Sequence, residues 1–242
     1  MVDENQKYQQ ALDYLYSFVD YSLTKQLRYS AEKFNLDRMR RLMALMGDPQ
    51  NKYPILHIAG TKGKGSISAM LANILKEAGY RVGLYTSPHL SDYCERIRID
   101  NIPITHIEFI RQVNKIKPLL YSIKEITTFE ITTALAFNTF FDKNIDISVV
   151  EVGLGGRLDA TNVVTPVISV ISSLSYDHMS VLGDTINEIS REKGGIIKQE
   201  RPVVLAPQVY PEAIQEIKLL AEKNLAPLID VGSSYVFQIL DF

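Results

Sequence analysis

An apolar run, a glycine-rich turn and a helical period follow one another between residues 53 and 79, and no other stretch constrains the fold as much. Tyr53-Pro54-Ile55-Leu56-His57-Ile58-Ala59-Gly60 has the length of a buried strand. Ile67, Met70, Leu71, Ile74, Leu75 and Ala78 then recur at helical spacing, closed by Gly79 as a C-cap. Between the two, Gly60, Gly63 and Gly65 are interleaved with Lys62 and Lys64. Strand, glycine turn and helix N-terminus together make a phosphate cradle. Glycines let backbone N–H groups turn toward an anion, and the helix dipole favours negative charge there. The dipole contributes about 0.3–1 kcal/mol, whereas a lysine about 4 Å from a phosphate charge gains roughly 4 kcal/mol at an effective dielectric of 20. Lys64 therefore outweighs the dipole.

Two familiar glycine patterns are not met. The P-loop pattern wants its first glycine at position 58, which is Ile, and Gly65 separates Lys64 from Ser66. The dinucleotide pattern wants a third glycine at position 68, which is Ser. The bland alternative is a flexible strand-to-helix turn; the interleaved lysines favour nucleotide phosphate.

The chain's 242 residues allow one large α/β domain or two small ones. A formal net charge of −2 gives no basis for binding nucleic acid or an acidic membrane surface. Cys94 is the one cysteine, so no intrachain disulfide forms, which fits a reducing cytoplasm. No apolar run approaches the roughly 18 residues of a membrane span. The opening Met1-Val2-Asp3-Glu4-Asn5-Gln6 is the opposite of a signal peptide. A cytoplasmic monomer is expected.

Helical spacing is found over residues 5–19 (Tyr8, Leu12, Leu15, Phe18) and 36–46 (Leu36, Met39, Leu42, Met43, Met46), with a polar loop over 24–29 between them. After the glycine turn and its helix, a strand is expected over 81–86, then the loop Ser87-Pro88-His89-Leu90-Ser91. Residues 95–105 alternate around Asp100-Asn101 as a hairpin. Helices are expected over 106–121, 128–141, 184–197 and 211–224, and strands over 145–152, 166–172, 202–206, 227–231 and 235–242. Strands separated by helices predict an α/β fold with a mostly parallel sheet and helices on both faces. Ligands in such sheets sit beyond the carboxyl ends of the strands. Residues 60–66, 87–89, 151–162 and 177–178 all follow strands, so all should line one edge.

That edge holds the candidate chemistry. Glu151 ends the run Asp146-Ile147-Ser148-Val149-Val150-Glu151, the metal-binding position of P-loop enzymes; otherwise it is a strand-end acid facing solvent. Ser66 or Ser87 could ligate Mg²⁺ with it, although either serine alone reads as an ordinary helix or loop residue. Gly153-Leu154-Gly155-Gly156-Arg157-Leu158-Asp159-Ala160-Thr161-Asn162 is either a mobile loop or a substrate contact. Asp177-His178 stands evenly between structure and site. His57 reads as core or wall, and His106 as a helix start. For Lys193, within Arg191-Glu192-Lys193, an exposed helical charge is the default.

Taken together, these blocks resemble a known family. His57-Ile58-Ala59-Gly60-Thr61-Lys62-Gly63-Lys64-Gly65-Ser66, Thr86-Ser87-Pro88-His89-Leu90, the stretch from Glu151 to Asn162, Asp177-His178 and Arg191-Glu192-Lys193 resemble the folylpolyglutamate synthase / dihydrofolate synthase family, relatives of the Mur ligases. Leu36-Asp37-Arg38-Met39 and Gly47-Asp48-Pro49-Gln50 match as well, in order over roughly residues 22–210. Each block alone is weak; all in register are specific. The resemblance implies a P-loop NTPase-like domain of the Mur ligase central type and ATP-dependent amide ligation. ATP would phosphorylate a carboxylate of dihydropteroate or of a reduced folate's glutamyl tail, and the amine of L-glutamate would attack the acyl phosphate.

Carried over residue by residue, Gly60, Thr61, Lys62, Gly63, Lys64, Gly65 and Ser66 would hold the phosphates, Lys64 at the β/γ end. Ser87 and Glu151 would ligate one Mg²⁺. Glu151, His178 and Lys193 would form a second metal site, Lys193 as a carbamate, since an ammonium repels a cation. Asp159, with Arg157 and Asn162 and with Pro88 and His89, would stand on the substrate side. Lys62 departs mildly from the family, many members of which carry Asn there. The family's smaller α/β C-terminal domain is expected to be absent, leaving residues 1–242 as an ATP-binding domain incomplete at its C-terminal end. A Mur-type ligase acting on a nucleotide-linked cell-wall precursor is the same-class alternative. A non-catalytic ATP-binding domain is another; a GTPase lacks support, with no N-K-x-D motif in the chain.

Overall fold

The computed structural model describes residues 3–18 and 35–235. Ahead of the first strand, α1 (Glu4–Tyr16) and α2 (Asp37–Leu45) place Leu15, Met39, Leu42 and Met43 in the core, as their spacing predicts. Then come β1 (Ile55–Ala59), α3 (Lys64–Glu77), β2 (Val82–Tyr85) and the hairpin β3 (Ile97–Ile99) and β4 (Ile102–Pro103). Asp100 and Asn101 both have positive φ, 52° and 67°, the geometry of the tightest hairpin turn. α4 (His106–Leu120) and α5 (Thr128–Asp142) lead to β5 (Ile147–Glu151) and β6 (Ile168–Ile171). The remainder is α6 (Met179–Leu182), α7 (Ile186–Gly194), β7 (Val203–Leu205), α8 (Pro211–Lys223), β8 (Leu228–Asp230) and α9 (Val231–Ser234). The loop expected over 24–29 and all but Tyr235 of the strand expected over 235–242 lie outside the described residues. No described helix is long and apolar enough to cross a membrane.

The strands form one eight-stranded sheet in the order β4-β3-β2-β5-β1-β6-β7-β8. From β2 through β8 every pairing is parallel; β3 alone runs against the rest, antiparallel to both β2 and β4. β1 is central, and all five of its residues are buried. Leu56 and Ile58 point to the face that carries α3, together with Val82, Leu84 and Val149. Ile55 and Ala59 point to the other, where the first packs toward α5 and the second toward α7 and α8. Helices therefore cover both faces, as expected for a parallel sheet.

α5 is buried along almost its whole length and begins with a capping box, Thr127 with Glu130. Arg38 of α2 closes an ion pair of 3.2 Å with Glu130, so this N-terminal motif docks one helix onto another. α3 departs from expectation. It starts at Lys64, with Gly63 as its left-handed N-cap, and its deeply buried residues are Ser68 and Ala72. Met70 and Ile74 are exposed, each to 64%. Small residues face inward because the helix lies close over β1, β2 and β5, leaving part of the apolar stripe outside.

Candidate functional site

The parallel order brings the carboxyl ends of β1, β2, β5 and β6 side by side, so residues 60–66, 87–89, 151–162 and 172–178 leave the sheet along one edge. The phosphate loop is stitched to the last of these segments. Thr61 N donates to Ser173 O at 2.9 Å, and Ser172 Oγ donates to Lys62 O at 2.8 Å. Thr61 Oγ1 donates to Ser175 O at 3.1 Å. Gly60 has φ 144°, and a Cβ there would collide with Ser172 Oγ, so position 60 needs glycine.

These bonds narrow the cradle. The N–H groups of Thr61 and Lys62 both point to Ser173 O. The N–H groups left for an anion are those of Gly63, Lys64, Gly65 and Ser66, because the first described helical bond here is Ile67 N to Gly63 O. Lys64 is half-buried, and its Nζ donates back to Thr61 O at 3.4 Å. Lys62 is exposed.

Glu151 is buried beside this turn. Its Oε2 accepts from Ser87 N at 3.1 Å, and its carboxylate lies 3.6 Å from where a Gly65 Cβ would stand. Burial holds its pKa above the usual carboxylate range, opposed by the Ser87 N–H and the Lys64 charge. Of the two serines, Ser87 adjoins the carboxylate; Ser66 is exposed on the first turn of α3.

Lys193 is only 2% exposed, not the solvated helical charge that its neighbours Arg191 and Glu192 suggest. Its Nζ donates to Gly60 O at 3.0 Å and lies 3.4 Å from Asp177 Oδ2. Asp177, which spacing had left undecided, is thus the partner of this buried lysine. His178 has φ 43° and a side chain 58% exposed, with Nε2 3.5 Å from Asp177 Oδ1. Among the described residues, no hydrogen bond or ion pair joins Glu151 to His178 or Lys193. Of the expected second metal trio, Lys193 and His178 both adjoin Asp177, and Glu151 lies beside the phosphate turn.

Burial, with the nearby Lys64 charge, pushes the Lys193 amine from its usual 10.5 down to about 8. The unfolded chain then binds more protons than the folded one between those values, so stability rises with pH across that window. Relative to Lys193→Met, the parent is expected to gain up to about 3 kcal/mol of unfolding free energy between pH 7 and 10.5. Urea unfolding of both proteins at the two pH values measures this; a constant difference would show that the lysine is not buried as described.

The loop 153–162 uses its polar groups on itself. Asp159 is buried; Oδ2 accepts from Gly153 N and Leu154 N, and Oδ1 from Thr161 N and Thr161 Oγ1. Asn162 Nδ2 donates to Arg157 O and Gly195 O, at 2.9 and 3.1 Å. Arg157 pairs with Glu192 at 2.8 Å. A Cβ on Gly156 would meet the carbonyls of Glu192 and Lys193, which is how the loop lies against the end of α7. Asp159 and Asn162, expected as substrate contacts, are thus internal braces of the loop. Pro88 is exposed, and His89 accepts at Nδ1 from Arg96 Nε at 3.0 Å.

Two other histidines are settled by their partners. His57 is fully buried in β1, with Nε2 2.8 Å from Thr161 Oγ1. His106 opens α4 but does more than start a helix: Nε2 lies 2.8 Å from Asp92 Oδ2, and its ring stacks on Tyr8 at 3.6 Å.

Comparison with known proteins follows the same geometry. Residues 58–233 match the Mur ligase middle domain. The dihydrofolate synthase/folylpolyglutamate synthase of Bacillus subtilis (strain 168) is 46% identical over 201 residues, covering 81% of this chain and 46% of that protein. The crystal structure of folylpolyglutamate synthase from Thermotoga maritima superposes with a TM-score of 0.81 at 38% identity, covering 93% of this chain and 50% of that one. The Mycobacterium tuberculosis folylpolyglutamate synthase complexed with ADP gives 0.83 at 35% identity, with 94% and 50% covered. The chain spans about half the length of the curated relatives it matches.

Proposed function

We propose, because the chain belongs to the Mur ligase family and within it to the folylpolyglutamate synthase / dihydrofolate synthase branch, that it carries the ATP-handling part of a glutamate ligation. The substrate class is a dihydropteroate or reduced-folate carboxylate, with L-glutamate as the amine. One observation carries this reading: the free N–H groups of residues 63–66 and the Lys64 ammonium lie next to the buried Glu151 carboxylate.

In this reading a substrate carboxylate oxygen attacks the γ-phosphorus of ATP, and ADP leaves. The amine nitrogen of glutamate then attacks the acyl carbon, phosphate departs, and the nitrogen loses a proton. The first step exists because a carboxylate is a poor electrophile and its acyl phosphate a good one. The N–H groups of residues 63–66 orient the phosphates, and Lys64 balances the charge that gathers on them. Lys193 braces Gly60 from beneath and keeps the loop in its left-handed turn.

Mg²⁺ fits one position. Glu151 is a buried acid beside the phosphate turn, and glycine at 65 leaves its carboxylate open to the cradle. Glu151 and the Ser87 hydroxyl would hold the ion, which would supply charge neutralisation at the phosphates. A second ion on Glu151, His178 and a Lys193 carbamate rests on the family resemblance alone, and no step is assigned to it. We also read the protein as a cytoplasmic monomer acting on small molecules and not on nucleic acid. Its support is the near-neutral charge and the buried, unpaired Cys94.

The test is direct. Residues 1–242 are expected to bind an ATP analogue with Mg²⁺ and to form no glutamate amide unaided. Positioning the amine and excluding water need groups beyond the phosphate cradle. Calorimetry reads the first, and mass spectrometry after incubation with ATP, Mg²⁺, L-glutamate and dihydropteroate reads the second. Failure to bind the analogue would sink the ATP reading. Conjugate forming at about 1 s⁻¹ would show that this part alone is sufficient.

A further inference from the structure

The side chains of His57, Thr161 and Asp159 form one buried chain of hydrogen bonds linking the strand before the phosphate loop to the loop after Glu151. Thr161 Oγ1 contacts both His57 Nε2, at 2.8 Å, and Asp159 Oδ1. Its single proton settles the direction of the chain. Asp159 is already an acceptor for three backbone N–H groups, those of Gly153, Leu154 and Thr161, so the hydroxyl donates to the carboxylate as well. The hydroxyl oxygen must then accept from His57, which carries its hydrogen on Nε2. Nδ1 is left as a bare lone pair, and it has no partner among the described residues.

Burial agrees with a neutral ring. His57 is fully enclosed, and burial, with the Lys198 charge nearby, pushes its pKa down to about 3. Lys198 itself donates to Asn162 O at 3.2 Å, closing the far side of the same loop. In the sheet His57 stands between Val150 of β5 and Ser169 of β6. A polar side chain there, with one nitrogen unsatisfied, costs stability that an apolar residue would not. Its compensation is control of Asp159, whose other oxygen holds the backbone two and three residues past Glu151.

We infer that His57 is a positioning residue: its Nε2–H, through Thr161, locks Asp159 and so shapes the loop 153–162 for the carboxylate substrate. This rests on the ligase reading above for the identity of that substrate, but the relay itself does not. The reach of the donor is specific. Glutamine places an N–H where His Nε2 stands; leucine fills the volume without one.

The experiment uses three variants and three kinds of measurement. Imidazole ¹⁵N–¹H correlation spectra of the parent are expected to show His57 as the Nε2–H tautomer across neutral pH; an Nδ1–H tautomer overturns the relay. Hydrogen exchange at Gly153 and Leu154 N–H should accelerate roughly tenfold or more in His57→Leu, and recover in His57→Gln. Thr161→Val tests the same link from the middle if His57→Leu does not fold. Dihydropteroate affinity, by calorimetry with an ATP analogue present, should fall about tenfold in His57→Leu and Thr161→Val and return in His57→Gln. Unchanged exchange, or unchanged affinity in the leucine and valine variants, would refute the inference. A parent that binds no dihydropteroate would instead overturn the substrate assignment, with tautomer and exchange still reporting on the relay.

Discussion

Lys64→Ala should abolish ATP turnover in a ligase of full family length while leaving the fold intact. The side chain has little to lose structurally. It is half-buried at the mouth of α3, and its described contact is a long 3.4 Å bond to Thr61 O. Surface-type contacts of this strength change stability by no more than about 0.5 kcal/mol. Against a phosphate the balance reverses, because roughly 4 kcal/mol of charge interaction is lost at an effective dielectric of 20, about a thousandfold in rate. Steady-state kinetics and a thermal melt on the same preparation separate the two effects. Retention of more than about a tenth of kcat, a barrier change below roughly 1.4 kcal/mol, would remove Lys64 from the phosphate site.

Glu151→Gln carries the second large effect, with opposite signs for stability and function. Burial raises the pKa of this carboxylate, so its ionised form is disfavoured in the folded protein, and the sign is that of a destabilising charge at neutral pH. Glutamine keeps the shape and can still accept from Ser87 N, so the variant should be as stable as the parent or more so. Its Mg²⁺ dependence should move the other way. Without the negative charge, the concentration needed for half-maximal ATP binding is expected to rise at least roughly tenfold. A magnesium titration followed by calorimetry, beside a urea melt, reads both. An unchanged titration with raised stability would make Glu151 a buried structural acid and return the cation to another site. The pairing of lost function with gained stability is what separates a functional carboxylate from a packing defect.

Much of the fold was legible because it is local. The run at 55–59, the glycines at 60, 63 and 65 and the period after them determine a strand, a left-handed turn and a helix from backbone preferences alone. The hairpin at Asp100-Asn101 follows from the same rule, both residues being tolerant of positive φ. The common edge was legible too, since right-handed crossovers leave a parallel sheet little choice. Even the buried face of α3 was only half readable: periodicity gave the helix, but Met70 and Ile74 lie outside because the sheet comes too close for them.

The partners of the site's side chains were not legible. Lys193 reaches Gly60 across 133 residues, and Thr61 reaches Ser175 across 114. No spacing rule links positions that far apart. Sequence identified Asp159 and Asn162 as polar groups near the edge, but whether they face a substrate or brace their own loop depends on which donors folding brings within 3 Å. The same holds for Thr61 and Lys62, whose N–H groups read as part of the cradle until Ser173 takes them. By itself the sequence determined the strand, the turn, the helix and the edge they share, because those follow from dihedral preference and pattern over a few residues. Only the tertiary structure decided which polar groups remain free for a ligand, because a hydrogen bond is fixed by proximity in space, and proximity in space is set by the whole packed sheet.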